Sequence, residues 1–358
     1  MADPNPVQTP RLRPRQAVLR MAPYSPPTAG RAGKLRLDFN ENTIGAPPHV
    51  VEALRRRLEA DLLAVYPEYG ETRAALASYF QVSPEQLLLT NGTDEAIQVL
   101  INTYVDDGDE VLLLRPSYAM YRFYADVAGA SVREIGYRPD DLAFPLEELL
   151  EVIGPATRAI LIANPNNPTG TAATREQLEK ILDKAAHAAV LVDEAYFEFY
   201  GVTLLPLVGR APNLFVSRTF SKVFGMAALR LGCVFSHEDN IRFLHKAQSP
   251  YSVNMLAAMA ATEAVKDDRY VKQYAAEVLA ARDLVYQGLD RLGVPYHRSQ
   301  ANFVLMRAGE RAIEIRDKLR AAGVLVRDRS YELPGCVRVT VGTREQVRRF
   351  LEALEEIW

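Results

Sequence analysis

Short, wholly apolar runs alternating with helix-like segments constrain this 358-residue chain more than any other feature. Val111-Leu112-Leu113-Leu114 stops at Arg115-Pro116, Ala159-Ile160-Leu161-Ile162-Ala163 stops at Asn164-Pro165, and Val190-Leu191-Val192 stops at Asp193. Leu214-Phe215-Val216-Ser217 and Gly232-Cys233-Val234-Phe235 are of the same kind. Runs without polar alternation read as strands buried on both faces. Between them, Thr93 to Tyr104 opens with Thr93-Asp94-Glu95, an N-cap with acid in the first turn. Thr174 to His187 pairs Thr174 with Gln177 in a capping-box pattern. The expected fold class is α/β, with a large domain whose mostly parallel sheet is sandwiched by helices. Sites in such sheets lie beyond the carboxyl ends of strands, where Asn164, Asp193 and Thr219 fall.

The last third reads differently. Helical patterns cover about 254–264, 270–292, 312–322 and 344–357, with strands at Phe303–Met306, Val324–Val326 and Cys336–Val341. This is a smaller α+β domain. The expected organisation is a flexible N-terminal arm (1–22), a segment packing with the small domain and a partner subunit (23–45), the large domain (46–248) and the small domain (249–358). The arm is rich in Pro and Arg and lacks the apolar stretch of a secretory signal.

Composition narrows the function classes. Basic and acidic residues number 42 and 45, a net charge of −3, so nothing marks a nucleic-acid or anionic-membrane binder. No apolar run approaches the ~18 residues of a membrane span. The two cysteines, Cys233 and Cys336, form no metal spacing and suit a reduced cytoplasmic protein. Neither a G-x-G-x-x-G nor a Walker A pattern occurs, so a nicotinamide enzyme or a P-loop NTPase has no support.

Lys222 is the sharpest chemical candidate. It is one of only eight lysines and lies in the aromatic-flanked run Arg218-Thr219-Phe220-Ser221-Lys222-Val223-Phe224-Gly225. A desolvated lysine serves as a Schiff-base amine; the alternative is a surface lysine whose stem covers apolar neighbours. Asp193 ends an apolar strand, where a carboxylate is paired or functional. Tyr196 follows three residues later. A pyridine-ring aldehyde cofactor would use this set, the lysine as amine and the aspartate on the ring nitrogen. Asn164-Pro165-Asn166-Asn167-Pro168-Thr169-Gly170 is a heavily constrained loop with amides free to bond. Thr90-Asn91-Gly92-Thr93-Asp94-Glu95 enters a helix through Gly92, which makes either an anion site or an ordinary capped terminus. Thr219, Ser221 and Arg230 could add donors for a phosphate.

Together these segments resemble the fold-type I, pyridoxal 5′-phosphate-dependent aminotransferases, with the histidinol-phosphate aminotransferase subfamily as the nearest likeness. Further matching motifs are Leu37-Asp38-Phe39-Asn40-Glu41-Asn42, Tyr66-Pro67-Glu68-Tyr69-Gly70, Val192-Asp193-Glu194-Ala195-Tyr196, Pro250-Tyr251-Ser252-Val253-Asn254 and Val337-Arg338-Val339-Thr340-Val341-Gly342-Thr343. The resemblance implies that Lys222 condenses with the cofactor and shuttles a proton, and that Asp193 pairs with the pyridine nitrogen. It implies that Asn167 and Tyr196 bond the phenolic oxygen and that Tyr118 stacks on the ring. Gly92, Thr93, Asp94, Thr219, Ser221 and Arg230 then form the phosphate cup, and Tyr66 reaches the phosphate of a partner subunit in a homodimer. Arg338, Arg327, Tyr24 and Asn42 are the implied substrate contacts, for a small-molecule amino donor and a 2-oxo acid acceptor. A transaminase for phenylalanine or tyrosine, or a decarboxylase of a phosphorylated amino acid, would use the same scaffold. The chain departs from the family pattern after Pro23-Tyr24, where Ser25-Pro26-Pro27-Thr28-Ala29-Gly30-Arg31 replaces a Gly-Lys-Pro type stretch, and at Met226-Ala227-Ala228.

Overall fold

The five apolar runs form strands because each has two faces to bury and helices cover both. Residues on alternate sides of the sheet fall into two separate cores. Leu112, Ile160, Val190 and Val216 face one, and Leu113, Leu161, Leu191 and Phe215 face the other. The computed structural model describes residues 12–23 and 29–358.

The large sheet has seven strands in the order Leu87–Thr90, Gly232–Phe235, Leu214–Thr219, Ala189–Asp193, Thr157–Ala163, Glu110–Arg115 and Ser131–Gly136. All neighbours are parallel except Gly232–Phe235, which runs against both of its partners. Its reversal brings its first residue, Gly232, level with the last residues of the flanking strands, Thr90 and Thr219. The carboxyl ends of the parallel strands therefore share one edge with Gly232, and the candidate residues gather there. Helix Gly92–Tyr104 begins at that edge, one residue past Asn91, its N-cap. Thr93, expected as the cap, is already helical because the positive φ of Gly92 (+73°) turns the chain earlier. Thr174 does cap helix Arg175–Lys184 in the expected capping box.

The small unit is a four-stranded antiparallel sheet, ordered Arg327–Asp328, Cys336–Thr340, Phe303–Arg307 and Tyr296–His297. Helices Arg269–Leu292, Ala312–Ala321 and Arg344–Glu355 accompany it. Helix Met255–Ala264 was expected to belong here. It packs instead on Pro48–Arg57 and Gly70–Phe80, because seven of its ten residues are buried and need cover on several sides. Upstream, Leu35–Arg36 pairs in parallel with Val324–Leu325, and the Thr340 N–H donates to Leu37 (2.9 Å). Residues 37–42 are thereby laid between the small sheet and the edge of the large one. Within the stretch expected as a flexible arm, Gln16–Leu19 forms one helical turn, and Arg15 donates to the Val127 and Ala128 carbonyls. Among the described residues no helix is long and apolar enough to cross a membrane.

Candidate active site

A cavity of about 210 Å³ lies at the carboxyl edge of the large sheet, and Lys222, Asp193, Tyr196, Asn167, Tyr118 and Arg230 all line it. Asp193 ends its strand with a carboxylate that is only 4% exposed. Ser217 stands directly beside it on the neighbouring strand and donates to Oδ1 (2.9 Å), while Tyr121 donates to Oδ2 (2.8 Å). Burial pushes the Asp193 carboxyl up to about 6, and these two hydroxyls pull the other way. No cation among the described residues pairs with it.

Lys222 is half-buried, less enclosed than its sequence context implied, because it faces the cavity. Its Nζ donates to the Phe39 carbonyl (3.2 Å) and lies 5.7 Å from the centre of the Tyr196 ring. The Tyr196 hydroxyl accepts from Asn40 Nδ2 (3.0 Å), and Asn40 is held at φ +56° by bonds to Thr340. The 37–42 segment therefore sets both the amine and the phenol.

The Asn-Pro-Asn-Asn-Pro-Thr-Gly loop divides its labour. Asn164 Oδ1 accepts from Ala173 N–H (2.7 Å), and Asn166 bonds Ser117, Pro116 and Thr169. These bonds fix the loop and present Asn167 to the cavity. Arg338 donates to Asn167 Oδ1, so the Asn167 amide NH₂ is the end available to a ligand.

The phosphate-cup candidates converge at the start of helix Gly92–Tyr104. Its first backbone N–H groups have no intrahelical acceptors, and the helix dipole adds positive potential. Asp94, in the first turn, accepts from Tyr118 (2.7 Å) and Arg230 (3.2 Å). Arg230 also approaches Ser221 Oγ (3.5 Å) and bonds the Ala227 carbonyl (3.2 Å). Thr219 Oγ1 accepts from the Ser221 N–H (3.1 Å). The cup is tight. A Cβ on Gly232 would sit 2.8 Å from the Gly92 carbonyl carbon and 2.9 Å from the Thr93 nitrogen.

The profile of the family described as "Aminotransferase class I and II" matches residues 32–354. The chain belongs to that family. It is 36% identical over 328 residues to a histidinol-phosphate aminotransferase of Anoxybacillus flavithermus, covering 89% of this chain and 87% of that one. It is 37% identical over 358 residues to the enzyme of the same name from Symbiobacterium thermophilum, covering 95% and 97%. Among solved structures, the histidinol-phosphate aminotransferase of Sinorhizobium meliloti in complex with pyridoxal 5′-phosphate shares the fold at 23% identity, with a TM-score of 0.88 over 96% of this chain and 97% of that one. The aspartate aminotransferase of Thermus thermophilus with maleate aligns at 28% identity and a TM-score of 0.79, covering 91% and 92%.

The remaining candidates of this aminotransferase fall in different places. Arg338 is 4% exposed, lies 5.3 Å from the centre of the Phe303 ring, and donates to the Asp38 carbonyl (2.7 Å) as well as to Asn167. Burial, then the charges of Arg329 and Arg327, push its guanidinium down to about 10. It has no carboxylate partner among the described residues. Arg327 stands directly across the antiparallel ladder from it and lines a second cavity of about 400 Å³, with Arg320 and Tyr331, that shares no lining residue with the first. Tyr66 is outside the cavity, 75% exposed and stacked on Tyr251 at 4.4 Å. Asn42 does not reach the cavity: Nδ2 bonds the Val223 carbonyl, and Oδ1 accepts from Ile44 and Gly45. Those bonds fix the turn after the 37–42 segment. Tyr24 lies outside the described residues. Arg31, the basic residue that ends the departing stretch, is tied to Asp38 (2.8 Å) and Glu41. Tyr121, Ser217, Phe39 and Asn40 belong to the site although residue type and spacing did not single them out.

Proposed function

We propose that this aminotransferase uses pyridoxal 5′-phosphate to move an amino group from L-histidinol phosphate to 2-oxoglutarate, yielding imidazole acetol phosphate and L-glutamate, and the reverse. The observation that carries the reading is the meeting of Lys222, Asp193 and the helix N-terminus in one cavity. The cofactor fits the residues present. A buried carboxylate with no cation partner among the described residues suits a protonated ring nitrogen, and the glycine-lined cup with Arg230 suits a phosphate dianion. When bound, the cofactor supplies a carbonyl carbon for amine exchange and a ring that accepts electron density.

The chain's own residues do the rest. The N–H groups of Thr93 and Asp94, with Ser221, Thr219 and Arg230, would hold the phosphate. Asp193 would pair with the ring nitrogen and favour its protonated form. The Asn167 amide and the Tyr196 hydroxyl would donate to the ring's phenolic oxygen, and Tyr118 would cover the ring face. Lys222 would supply the amine that holds the cofactor's carbonyl carbon, and its Nζ would be the base that takes up and returns the proton at the substrate Cα. Its bond to Phe39 O orients Nζ. Arg338 forks onto the carboxylate of glutamate. The side-by-side Arg338 and Arg327 suit the phosphate of the other substrate, and the names of the relatives at 36–37% identity support that choice.

A second copy of the chain would cover the exposed apolar residues Leu58, Leu63, Val65, Tyr66 and Tyr251, and Tyr66 would then reach the neighbour's phosphate. The buried, unpaired Cys233 and Cys336 suit the cytoplasm. A half-reaction screen tests the substrate: cofactor-loaded protein is mixed separately with histidinol phosphate, phenylalanine, tyrosine and glutamate, and loss of the cofactor's absorbance band is timed. Fast loss with histidinol phosphate and glutamate is expected. Fast loss with phenylalanine and none with histidinol phosphate would replace this reading by an aromatic amino-acid transaminase.

A further inference from the structure

Asp193 is a buried carboxylate that must stay ionised and hold its direction before any cation reaches it. Its two oxygens meet only neutral hydroxyls among the described side chains, one each: Ser217 on Oδ1 at 2.9 Å and Tyr121 on Oδ2 at 2.8 Å. We propose that Tyr121 and Ser217 are positioning residues that hold the Asp193 carboxylate ionised and aimed into the cavity. The proposal rests on the cofactor reading above.

Three observations carry it. Asp193 and Ser217 are register partners on adjacent parallel strands and point to the same side of the sheet, so the serine reaches Oδ1 without any loop having to place it. Tyr121 comes from helix Ala119–Ala128, which covers that same side, and its ring is 1% exposed although it lines the cavity. Its phenol sits far above its ordinary pKa through burial and the Asp193 charge, so toward the carboxylate it serves only as a donor. Finally, the Tyr121 ring meets Tyr118 edge-on at 5.6 Å, and Tyr118 donates to Asp94 at the phosphate cup. The tyrosine pair thus spans the distance between the carboxylate end of the site and its phosphate end.

The physical logic is that of donors to an anion. Both hydroxyls give their only proton to the carboxylate when it is ionised. Protonating Asp193 would force one of them to turn its proton elsewhere in a buried place, so each bond favours the anion. The other charged or titratable groups around Asp193 are Asp94 of helix Gly92–Tyr104, Tyr118, Tyr196, and the cavity-lining Lys222, Arg230 and Glu41. None of these is hydrogen-bonded to it.

The test uses the full chain stripped of cofactor. Affinity for added pyridoxal 5′-phosphate is measured from pH 5.5 to 9 for the parent, Tyr121→Phe, Ser217→Ala, Ser217→Thr and Asp193→Asn. Losing one hydroxyl should move the pH below which binding weakens upward by about one unit from the parent's value near 6, making binding roughly eightfold weaker at pH 5.5 and about twofold weaker at pH 7. At pH 9, where Asp193 is ionised in every variant that keeps it, affinities should converge, and Ser217→Thr should restore the parent profile. Titrations of the ligand itself are common to all variants and cancel in the comparison. A merely structural role would weaken binding equally at every pH, and that result would overturn the proposal. An unchanged profile in both Tyr121→Phe and Ser217→Ala would overturn it too, provided Asp193→Asn alters binding. If Asp193→Asn binds like the parent at every pH, the cofactor reading itself fails, which separates the two claims.

Discussion

Replacing Arg338 by Met should disable substrate binding while leaving the fold about as stable as before. In the structure Arg338 is a buried cation with no carboxylate partner among the described residues, bonded to the Asn167 side chain and the Asp38 carbonyl. Its Nε is buried and unbonded. Losing the two bonds costs about 1 kcal/mol each. Removing an uncompensated buried charge gains back several kcal/mol, and the thioether fills much of the same apolar volume against Phe303. The net change in unfolding free energy should lie within about 2 kcal/mol, of either sign, by urea titration. Binding has no such offset, because the substrate anion would enter a desolvated site without its counter-charge. Loss of one partner from such a pair costs about 2–5 kcal/mol, or roughly 30- to 5,000-fold in kcat/KM. The effect should appear with glutamate as well as histidinol phosphate. Arg338→Lys should fall between, since it keeps the charge but loses the fork. A kcat/KM within threefold of the parent for Arg338→Met would refute the reasoning, as would a loss of stability above about 4 kcal/mol, which would mark Arg338 as a structural residue.

Other outcomes follow from the same geometry. Gly232→Ala pushes a methyl against the Gly92 and Thr93 backbone; cofactor affinity, titrated by absorbance, should fall at least tenfold, with about 1–3 kcal/mol of destabilisation. Arg327→Ala should lower kcat/KM for histidinol phosphate more than tenfold while changing the glutamate half-reaction less than threefold. In the cofactor-free protein, the Asp193 carboxyl sits near 6 against an ordinary 3.8. The fold therefore prefers the protonated acid, and that stability is present below about pH 4 and lost as pH rises through 6. The gap is on the order of 3 kcal/mol. Asp193→Asn should thus raise the stability of the stripped protein at pH 7 and leave it nearly unchanged at pH 4; equal effects at both pH values would contradict the assignment.

The large sheet was legible because strands buried on both faces leave unbroken apolar runs, as at Ala159–Ala163. The edge strand Ser131–Gly136 escaped notice because most of its residues face solvent and its sequence carries no such run. Strand direction was not legible either: Gly232–Phe235 looks like its neighbours, and only the tertiary path reverses it. Within the site, Lys222, Asp193 and Asn167 announced themselves as polar residues at the ends of apolar or rigid segments. Ser217 and Tyr121 did not, since a serine in a strand and a tyrosine in an amphipathic helix are ordinary core residues until a buried carboxylate is found beside them. Asn42 was overread, because a motif match does not tell whether a side chain bonds a ligand or its own turn.

The central claim is that the ε-amine of residue 222 is the group that joins the cofactor. Cofactor-loaded protein should be treated with borohydride, digested, and the pyridoxyl adduct located by mass spectrometry. The account predicts the adduct on Lys222, in near-stoichiometric yield, and none in Lys222→Ala. An adduct on any of the seven other lysines, or a parent protein that takes up no cofactor, would contradict it.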